Sequence, residues 1–267
     1  MNIFEGVKSG DLGISAKDLD VTKIAAINLP NQIRDEIPTM NQFGYMKIDL
    51  DEFCKDFIDY SRGAEGVVLE LGCAYGFVVR QVLEGGGKIV AGDLSNEHLS
   101  VLVKQTKEQD RENLHIAQGR FPEGFNFKDD SFDAILSSRM FHFLEGEEIK
   151  AGLDKVYKFL KPSGKFFFTS VSPYNYTLRD GFLDIYKKRV EEKEEWPGVV
   201  RDFNERAKEH VDYLQNFIHA FDTDHLNSLL PKHGFEIEKI KYFDYPNNID
   251  SDNKGHIGFV ARKVAKN

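Results

Sequence analysis

Two acidic residues and a small-residue turn are the first candidates for chemistry in this sequence. The run ELGCAYG, residues 70–76, follows an apolar stretch that begins at Val67. Glycine lets the backbone turn sharply and lets a ligand approach without a Cβ in the way. Asp93 ends the next apolar stretch, 17 residues after Gly76, where its carboxylate could accept hydrogen bonds from both hydroxyls of a ribose. The pattern predicts a nucleoside-binding turn.

The spacing of the small residues argues against a dinucleotide. A dinucleotide site requires G-x-G-x-x-G, so that a pyrophosphate can lie at the helix N-terminus. The small residues Gly72, Ala74 and Gly76 are spaced two and two, and Phe77 occupies the place of a third close-packing glycine. Glu70 would repel phosphate and attract a cationic amine. A nicotinamide-dependent oxidoreductase is therefore the weaker alternative, and a turn with glycines only for packing would not need the two carboxylates.

Strand-like and helix-like segments alternate around these residues. Apolar runs predict strands at 67–71, 88–93, 114–118, 132–137 and 165–171, and helices at 77–83, 97–109 and 147–160. This alternation predicts an α/β fold with a doubly wound, mostly parallel sheet and helices on both faces. Two further strands, at 235–243 and 256–262, are joined by a link too short for a crossover helix, so the last of the seven strands should be antiparallel.

Two segments interrupt this alternation. We expect residues 1–64 to be mostly irregular, to end in a helix that begins near residues 49–51, and to cover the ligand. Residues 172–220 are polar, and apolar residues between 203 and 221 recur at helical spacing. We expect them to form a helical lid that excludes water, inserted into a domain that spans residues 65–267.

The motifs resemble those of the class I S-adenosylmethionine-dependent methyltransferases. ELGCAYG, followed by GDLS at 92–95, is similar to the first two motifs of the family, with Ala74 in place of the middle glycine. The later motifs of the family are similar to three further segments of this chain: DDSFDAI at 129–135, LKPSGK at 160–165 and HGF at 233–235. The resemblance covers roughly residues 65–171 and 222–262. It implies a Rossmann-like methyltransferase fold, S-adenosylmethionine as the cofactor and methyl transfer as the activity.

The resemblance also implies which residues bind the cofactor. They are Glu70, Gly72, Cys73, Ala74, Gly76, Asp93, Leu94, Arg120, Phe121, Ser137 and Ser138. Many members carry an acidic residue after the glycine at position 119, to accept from the adenine amino group, and this chain has Arg120-Phe121 instead. We therefore expect adenine recognition by backbone groups and a hydrophobic wall.

Methyl transfer asks little of catalytic side chains. The protein must hold the nucleophile in line with the methyl group, exclude water and in some cases accept a proton. His142, just past the carboxyl end of the fourth strand, is the candidate proton acceptor. Arg139 is the candidate partner for a substrate carboxylate. The alternatives are a packing role for His142 and an ordinary surface position for Arg139.

Composition narrows the class of acceptor. The net charge of −9 disfavours nucleic acid, whose phosphates require a basic surface. No N-P-P-Y follows the fourth strand, so we expect a small-molecule oxygen or nitrogen as acceptor, a carboxylate included. The alternative is a regulatory protein that binds S-adenosylmethionine without turnover.

Composition also bears on the compartment. Two cysteines disfavour a disulfide framework and a structural zinc site, so we expect no metal. No apolar run approaches the ~20 residues that cross a bilayer. The first residues lack the basic start and apolar core of a secretory signal, and we expect a cytoplasmic protein. The oligomeric state is left open.

Overall fold

The fold is known from a computed structural model that describes residues 11–208, 211–245 and 251–266, without the side chains of 179–180. The strands are β1 Ile14–Ser15, β2 Glu36–Pro38, β3 Tyr45–Lys47, β4 Val67–Leu71, β5 Lys88–Asp93, β6 Leu114–Gln118, β7 Phe132–Ser138, β8 Leu160–Val171, β9 Val199–Val200, β10 Ile218–His219, β11 Phe235–Phe243 and β12 His256–Lys263. The α-helices are α1 Glu52–Gly63, α2 Phe77–Glu84, α3 Asn96–Gln105, α4 Gly146–Phe159, α5 Tyr176–Glu191, α6 Phe203–Arg206 and α7 Thr223–Leu229.

One large sheet organises the chain, in the order β1-β6-β5-β4-β7-β8-β12-β11. Strands β4 to β8 pair in parallel, and β12 lies antiparallel to both β8 and β11. The predicted mostly parallel sheet with an antiparallel last strand is confirmed. The prediction of seven strands misses β1, which pairs with the edge strand β6. Two residues are too few to produce a readable alternation.

The core lies in two layers, one on each face of the sheet. Val68 belongs to the layer that contains α1, α2 and α3, whereas Leu69 and Leu71 belong to the layer that contains α4 and α7. Successive side chains on a strand point to opposite faces, so both faces of β4 are apolar and buried. Burial on both sides fixes the register of β4 and therefore the position of the turn that follows it.

Two helices begin beside that turn, and each begins at a side-chain cap. The Asp51 carboxylate accepts from the backbone N–H of Cys54 at 2.8 Å, which starts α1. The Ser95 hydroxyl accepts from the N–H of His98 at 3.2 Å, which starts α3. Such caps satisfy N–H groups that have no partner within the helix.

The segment 172–220 differs in part from the prediction. The structure has the helix α5, but the continuous helix expected between 203 and 221 is wrong. In its place are the four-residue α6 and the strand β10, which pairs with β9. Phe203 and Ile218 reach one shared cluster from different elements, while Val211 is 49% exposed. Short elements rather than one face of a helix therefore supply the apolar residues of this cluster.

No helix in the described ranges combines the length and the apolar character that a membrane span requires.

Candidate functional site

A cavity opens at the carboxyl ends of β4, β5 and β7, and we call it the sheet-edge cavity. Sequence-predicted residues that line it are Glu70, Gly72, Cys73, Ala74, Asp93, Leu94, Arg120, Phe121, Ser138 and Arg139. The structure thus brings together, in one cavity, residues that are up to 69 positions apart (139 minus 70).

The turn after β4 is held by the neighbouring strand. The N–H groups of Gly72 and Cys73 donate to the carbonyl of Gly92 at 2.8 and 3.0 Å. Gly72 has φ +76°, and a Cβ there would lie 3.0 Å from the Met140 side chain. Gly76 has φ +72°, and a Cβ there would lie 2.4 Å from Leu102. Gly76 does not line the cavity, so it shapes the turn and the start of α2.

Glu70 is the most unusual group in the cavity wall. It is 4% exposed, and its Oε2 has no hydrogen-bond partner among the described residues. Burial, together with the nearby Asp93, raises the pKa of Glu70 to about 8. Burying a carboxyl group without a partner is costly. A cation placed in the cavity would supply the missing partner and favour the ionised form.

Asp93 is held by three N–H donors. Its Oδ2 accepts from the backbone of Ala74 at 2.8 Å. Its Oδ1 accepts from the backbone of Ser95 at 2.8 Å and lies 3.1 Å from His98 Nδ1. Since Oδ1 already has two partners, Oδ2 is the oxygen with spare capacity. The geometry therefore favours one hydrogen bond that Asp93 Oδ2 accepts from a ligand. The sequence predicts two, one from each hydroxyl of a ribose.

His98, which sequence reasoning missed, connects Asp93 to the N-terminal segment. The backbone N–H of Met40 donates to His98 Nε2 at 3.0 Å. Nδ1 therefore carries the hydrogen and donates to Asp93. The Tyr75 hydroxyl donates to the carbonyl of Pro38 at 2.7 Å, and its ring lies 4.9 Å from that of His98. These contacts hold residues 38–43 over the cavity.

The wall on the β5 and β6 side is partly apolar. Leu94 is 42% exposed and Phe121 is buried, and both line the cavity. Arg120 forms an ion pair with Glu148. An exposed leucine and a buried phenylalanine in the wall of one cavity suit a flat heterocycle.

Ser137 is a correction to the predicted set. It is fully buried and does not line the cavity, whereas Ser138 does. The two are neighbours on β7, and successive side chains on a strand point to opposite faces. Only one of the pair can therefore face a ligand above the sheet edge.

A second cavity, of about 350 Å³, adjoins the first, and we call it the insertion cavity. Its walls come from β2 and β3, the segment after β7, the start of α5, residues 203–218 and the start of β12. Residues shared by both cavities are Phe43, Tyr45, Lys47, Arg139 and Phe143. The two cavities therefore meet at these side chains.

The two candidate catalytic residues differ in which cavity they line. Arg139 lines both cavities, and its guanidinium donates to the carbonyl of Tyr45 at 3.1 Å. His142 lines the insertion cavity only, with Nδ1 3.5 Å from the Ser170 hydroxyl. Burial and the charge of Arg139 lower the pKa of His142 to about 3. His142 is therefore neutral near pH 7.

A buried polar group beside the sheet-edge cavity also escaped sequence reasoning. The Tyr245 hydroxyl donates to Asp51 Oδ2 at 2.9 Å, and Cys54 lies against the same carboxylate at 3.4 Å. All three line the cavity. Asp51 is readable in the sequence as a helix cap, but its tyrosine partner is 194 residues away. Within the described ranges, no group of three or more His, Cys, Asp or Glu side chains could hold a metal ion.

Comparison with known families finds a match in the centre of the chain. Residues 68–164 match a family described as a methyltransferase domain. A demethylmenaquinone methyltransferase of Clavibacter sepedonicus is 31% identical over 171 residues, which are 63% of this chain and 64% of that protein. A cypemycin N-terminal methyltransferase of a Streptomyces species is 34% identical over 116 residues, 43% of this chain and 45% of that protein. The matches thus span less than two thirds of these relatives' own lengths.

Solved structures share the fold. The Burkholderia thailandensis 1,6-didemethyltoxoflavin-N1-methyltransferase, determined with 1,6-didemethyltoxoflavin and S-adenosylhomocysteine bound, superposes with a TM-score of 0.55. It is 16% identical, and the match covers 80% of this chain and 78% of that one. At this identity the likeness concerns the fold alone.

Proposed function

We propose that the chain is a class I S-adenosylmethionine-dependent methyltransferase and that it methylates an oxygen or nitrogen of a small molecule. The match of residues 68–164 to a methyltransferase domain supports this proposal. The observation that carries the proposal is the buried Glu70 carboxyl group, whose Oε2 lacks a partner in the wall of the sheet-edge cavity. A cation fits that position and a phosphate does not. S-adenosylmethionine bears an ammonium group and a sulfonium, and no phosphate.

In this proposal the sheet-edge cavity holds the cofactor. Glu70 faces its ammonium group, and Asp93 Oδ2 accepts from a ribose hydroxyl. The adenine lies between Leu94 and Phe121, with Arg120 at its edge. The backbone of Gly72, Cys73 and Ala74 lies under the amino-acid part, next to Ser138 on β7.

The acceptor occupies the insertion cavity. When bound, S-adenosylmethionine would supply an electrophilic methyl group. An acceptor lone pair would form the new bond to the methyl carbon, and the carbon–sulfur bond would break with its electron pair left on sulfur. Because both cavities share Phe43, Tyr45, Arg139 and Phe143, the acceptor atom must lie near these side chains. Residues 172–220 close the far side of the insertion cavity and exclude water.

Arg139 and His142 position the acceptor in this scheme. Arg139 lies where the cavities meet and can orient an acceptor oxygen. His142 is neutral, because burial and Arg139 lower the pKa of its imidazole to about 3, so it can accept a hydrogen bond from an O–H or N–H group of the acceptor. A base with so low a pKa removes a proton only weakly, and in-line positioning is therefore the main contribution of the protein.

The test compares ligands on one preparation. S-adenosylhomocysteine and NAD⁺ are titrated side by side, with thermal unfolding and calorimetry as readouts. We expect S-adenosylhomocysteine to raise the melting temperature, since a ligand that binds only the folded state stabilises it by about 2.7 kcal/mol at a hundredfold excess over its Kd. NAD⁺ should give no shift. No response to S-adenosylhomocysteine at millimolar concentration would overturn the proposal. S-adenosylhomocysteine binding without methyl transfer to any acceptor would favour the regulatory alternative.

A further inference from the structure

We propose that the acceptor is an anion on a flat aromatic body, with its anionic oxygen held between Arg139 and His256 in the insertion cavity. This inference rests on the proposed function, because it identifies the acceptor class for the same reaction. It follows from unpartnered nitrogen atoms, from the pairing of the other charges and from the shape of the walls.

Two buried nitrogen atoms in residues that line the insertion cavity lack a partner. Arg139 Nε and His256 Nδ1 are both buried without a hydrogen bond to any described residue. The carboxylate nearest to His256 is that of Asp244, whose Oδ1 lies 3.9 Å from Nδ1, beyond hydrogen-bond distance. A buried polar nitrogen atom without a partner destabilises the protein. Both residues line the cavity, so an anionic oxygen there can accept from Arg139 Nε and, when the hydrogen of the neutral imidazole is on Nδ1, from His256.

The other charged groups of the cavity are either paired with one another or exposed. Lys47 Nζ lies 3.2 Å from Asp35 and 2.7 Å from Glu36, so those carboxylates are engaged. Arg34 is exposed at the margin. Among the described residues, no ion pair joins Arg139 to a carboxylate. The cation that still lacks a counter-charge is therefore the half-buried Arg139, whose Nε is buried.

The charge of Arg139 affects the pKa of two neighbouring histidines, His142 and His256. The pKa of His142 and that of His256 are lowered, first by burial and then in part by Arg139. Asp244 raises the pKa of His256, whereas Lys47 lowers it, as Arg139 does. A cationic acceptor would meet the same repulsion. An anion would relieve it.

Several aromatic side chains lie among the aliphatic and polar residues of the remaining walls. The rings of Phe43 and Phe143 are 5.1 Å apart, edge to face, and those of Tyr45 and Tyr213 are 5.3 Å apart. Phe203 closes the side formed by the insertion. Aromatic side chains pack well on flat rings, and about 350 Å³ lies within the range of small-molecule sites.

The test uses 1-naphthoate with 1-naphthamide as its neutral match. Binding is measured by calorimetry, both with saturating S-adenosylhomocysteine and without it. The intact chain should bind the carboxylate at least about tenfold more tightly than the amide, in keeping with a charge-assisted hydrogen bond. Arg139→Met, which keeps the aliphatic stem, should reduce the preference to within about twofold.

His256→Phe is the second variant, because it keeps a ring against Tyr245 and Phe243 and removes both nitrogen atoms. It should lower the naphthoate affinity severalfold and leave the affinities for naphthamide and S-adenosylhomocysteine unchanged. Equal binding of carboxylate and amide, no binding of naphthoate at millimolar concentration, or a preference that survives in both variants would overturn the inference. Failure of S-adenosylhomocysteine to bind would refute the proposed function instead, and the measurements without it would still decide the anion preference.

Discussion

The two cavities of this protein meet at shared side chains but differ in charge and in origin. The sheet-edge cavity contains the buried carboxyl groups of Glu70 and Asp93. The insertion cavity contains the imidazoles of His142 and His256, and the guanidinium of Arg139 lies where the two cavities meet. In the proposed scheme the carboxyl groups face the cationic cofactor, and Arg139 faces an acceptor of opposite charge.

The origins of the cavities explain this difference. The sheet-edge cavity forms where parallel strands end, so strand–turn–helix units that are contiguous in sequence build most of its wall. The insertion cavity combines segments from residues 33–47, 139–143, 171–177, 203–218 and 256. Peripheral segments can change without disturbing the sheet. In the proposed scheme, the ends of the sheet strands bind the cofactor and the segments packed around them select the acceptor.

The largest expected effect comes from separating the two cavities. Replacing residues 172–220 with a short Gly-Ser linker should abolish methyl transfer and leave the affinity for S-adenosylhomocysteine within a few fold. None of the residues of this segment that the structure describes lines the sheet-edge cavity. The linker is feasible because the Phe221 N–H donates to the Val171 carbonyl at 3.0 Å. Calorimetry and S-adenosylhomocysteine production would measure the two effects.

Circular dichroism provides the control for that deletion. Most of the buried apolar residues of the segment form their own cluster, separate from the two layers on the sheet, so the sheet core should remain folded. Loss of the folded spectrum would mean that the segment only completes the core. A folded variant that turns over its acceptor at the parent rate would show that the insertion is no lid.

A smaller effect is expected within the sheet-edge cavity alone. Asp93→Ala should weaken S-adenosylhomocysteine binding by about 1.5–3 kcal/mol, roughly 10- to 150-fold, the range for a hydrogen bond to a charged group. Asp93→Asn should be nearly as damaging, because N–H donors face both oxygens and an amide NH₂ must oppose one of them. Affinity is measured by calorimetry.

Glu97→Gln is the matched control for Asp93. Glu97 is an exposed carboxylate on the same helix start and does not line the cavity, so its loss should leave binding unchanged. Unchanged affinity in Asp93→Ala would place the ribose elsewhere and end the assignment of Asp93.

The smallest effect is a pH dependence specific to the sheet-edge cavity. With a pKa of about 8, Glu70 is mostly protonated between pH 6 and 7, and a bound ammonium group should lower that pKa. Binding of S-adenosylhomocysteine should then release up to about one proton, and its affinity should rise by up to about tenfold per pH unit over this range. Calorimetry in buffers with different ionisation enthalpies measures the released protons.

Glu70→Gln tests the cause of that dependence. The variant should bind more weakly and without the pH slope. Without ligand, the variant should have a larger free energy of unfolding than the parent protein at pH 7. Folding raises the pKa of Glu70 from 4.5 to about 8, so the contribution of this group to stability is complete below about pH 4.5 and is lost as the pH rises towards 8. A pH slope that persists in Glu70→Gln would assign the proton to another group.

Local features of the sequence predicted much of the sheet and its first cavity. Apolar runs gave the five parallel strands, and Ser95 was readable as a helix cap. The small residues from Gly72 to Gly76, followed by Asp93, gave the turn and its acidic partners. These features could be read because each depends on a few consecutive residues, whose conformational preferences and strand alternation act locally.

Only the tertiary structure decided the remaining features. Ser138 lines the sheet-edge cavity and Ser137 does not, but the sequence does not show which of the two neighbours on the strand faces the cavity. His98 meets the backbone of Met40, which is 58 residues away, and His256 lines the same cavity as Arg139, more than a hundred residues earlier. The apolar residues between 203 and 221 recur at the spacing of a helix, although several short elements carry them into one buried cluster. Such contacts arise from packing between distant segments, which leaves no periodic signal in either segment alone.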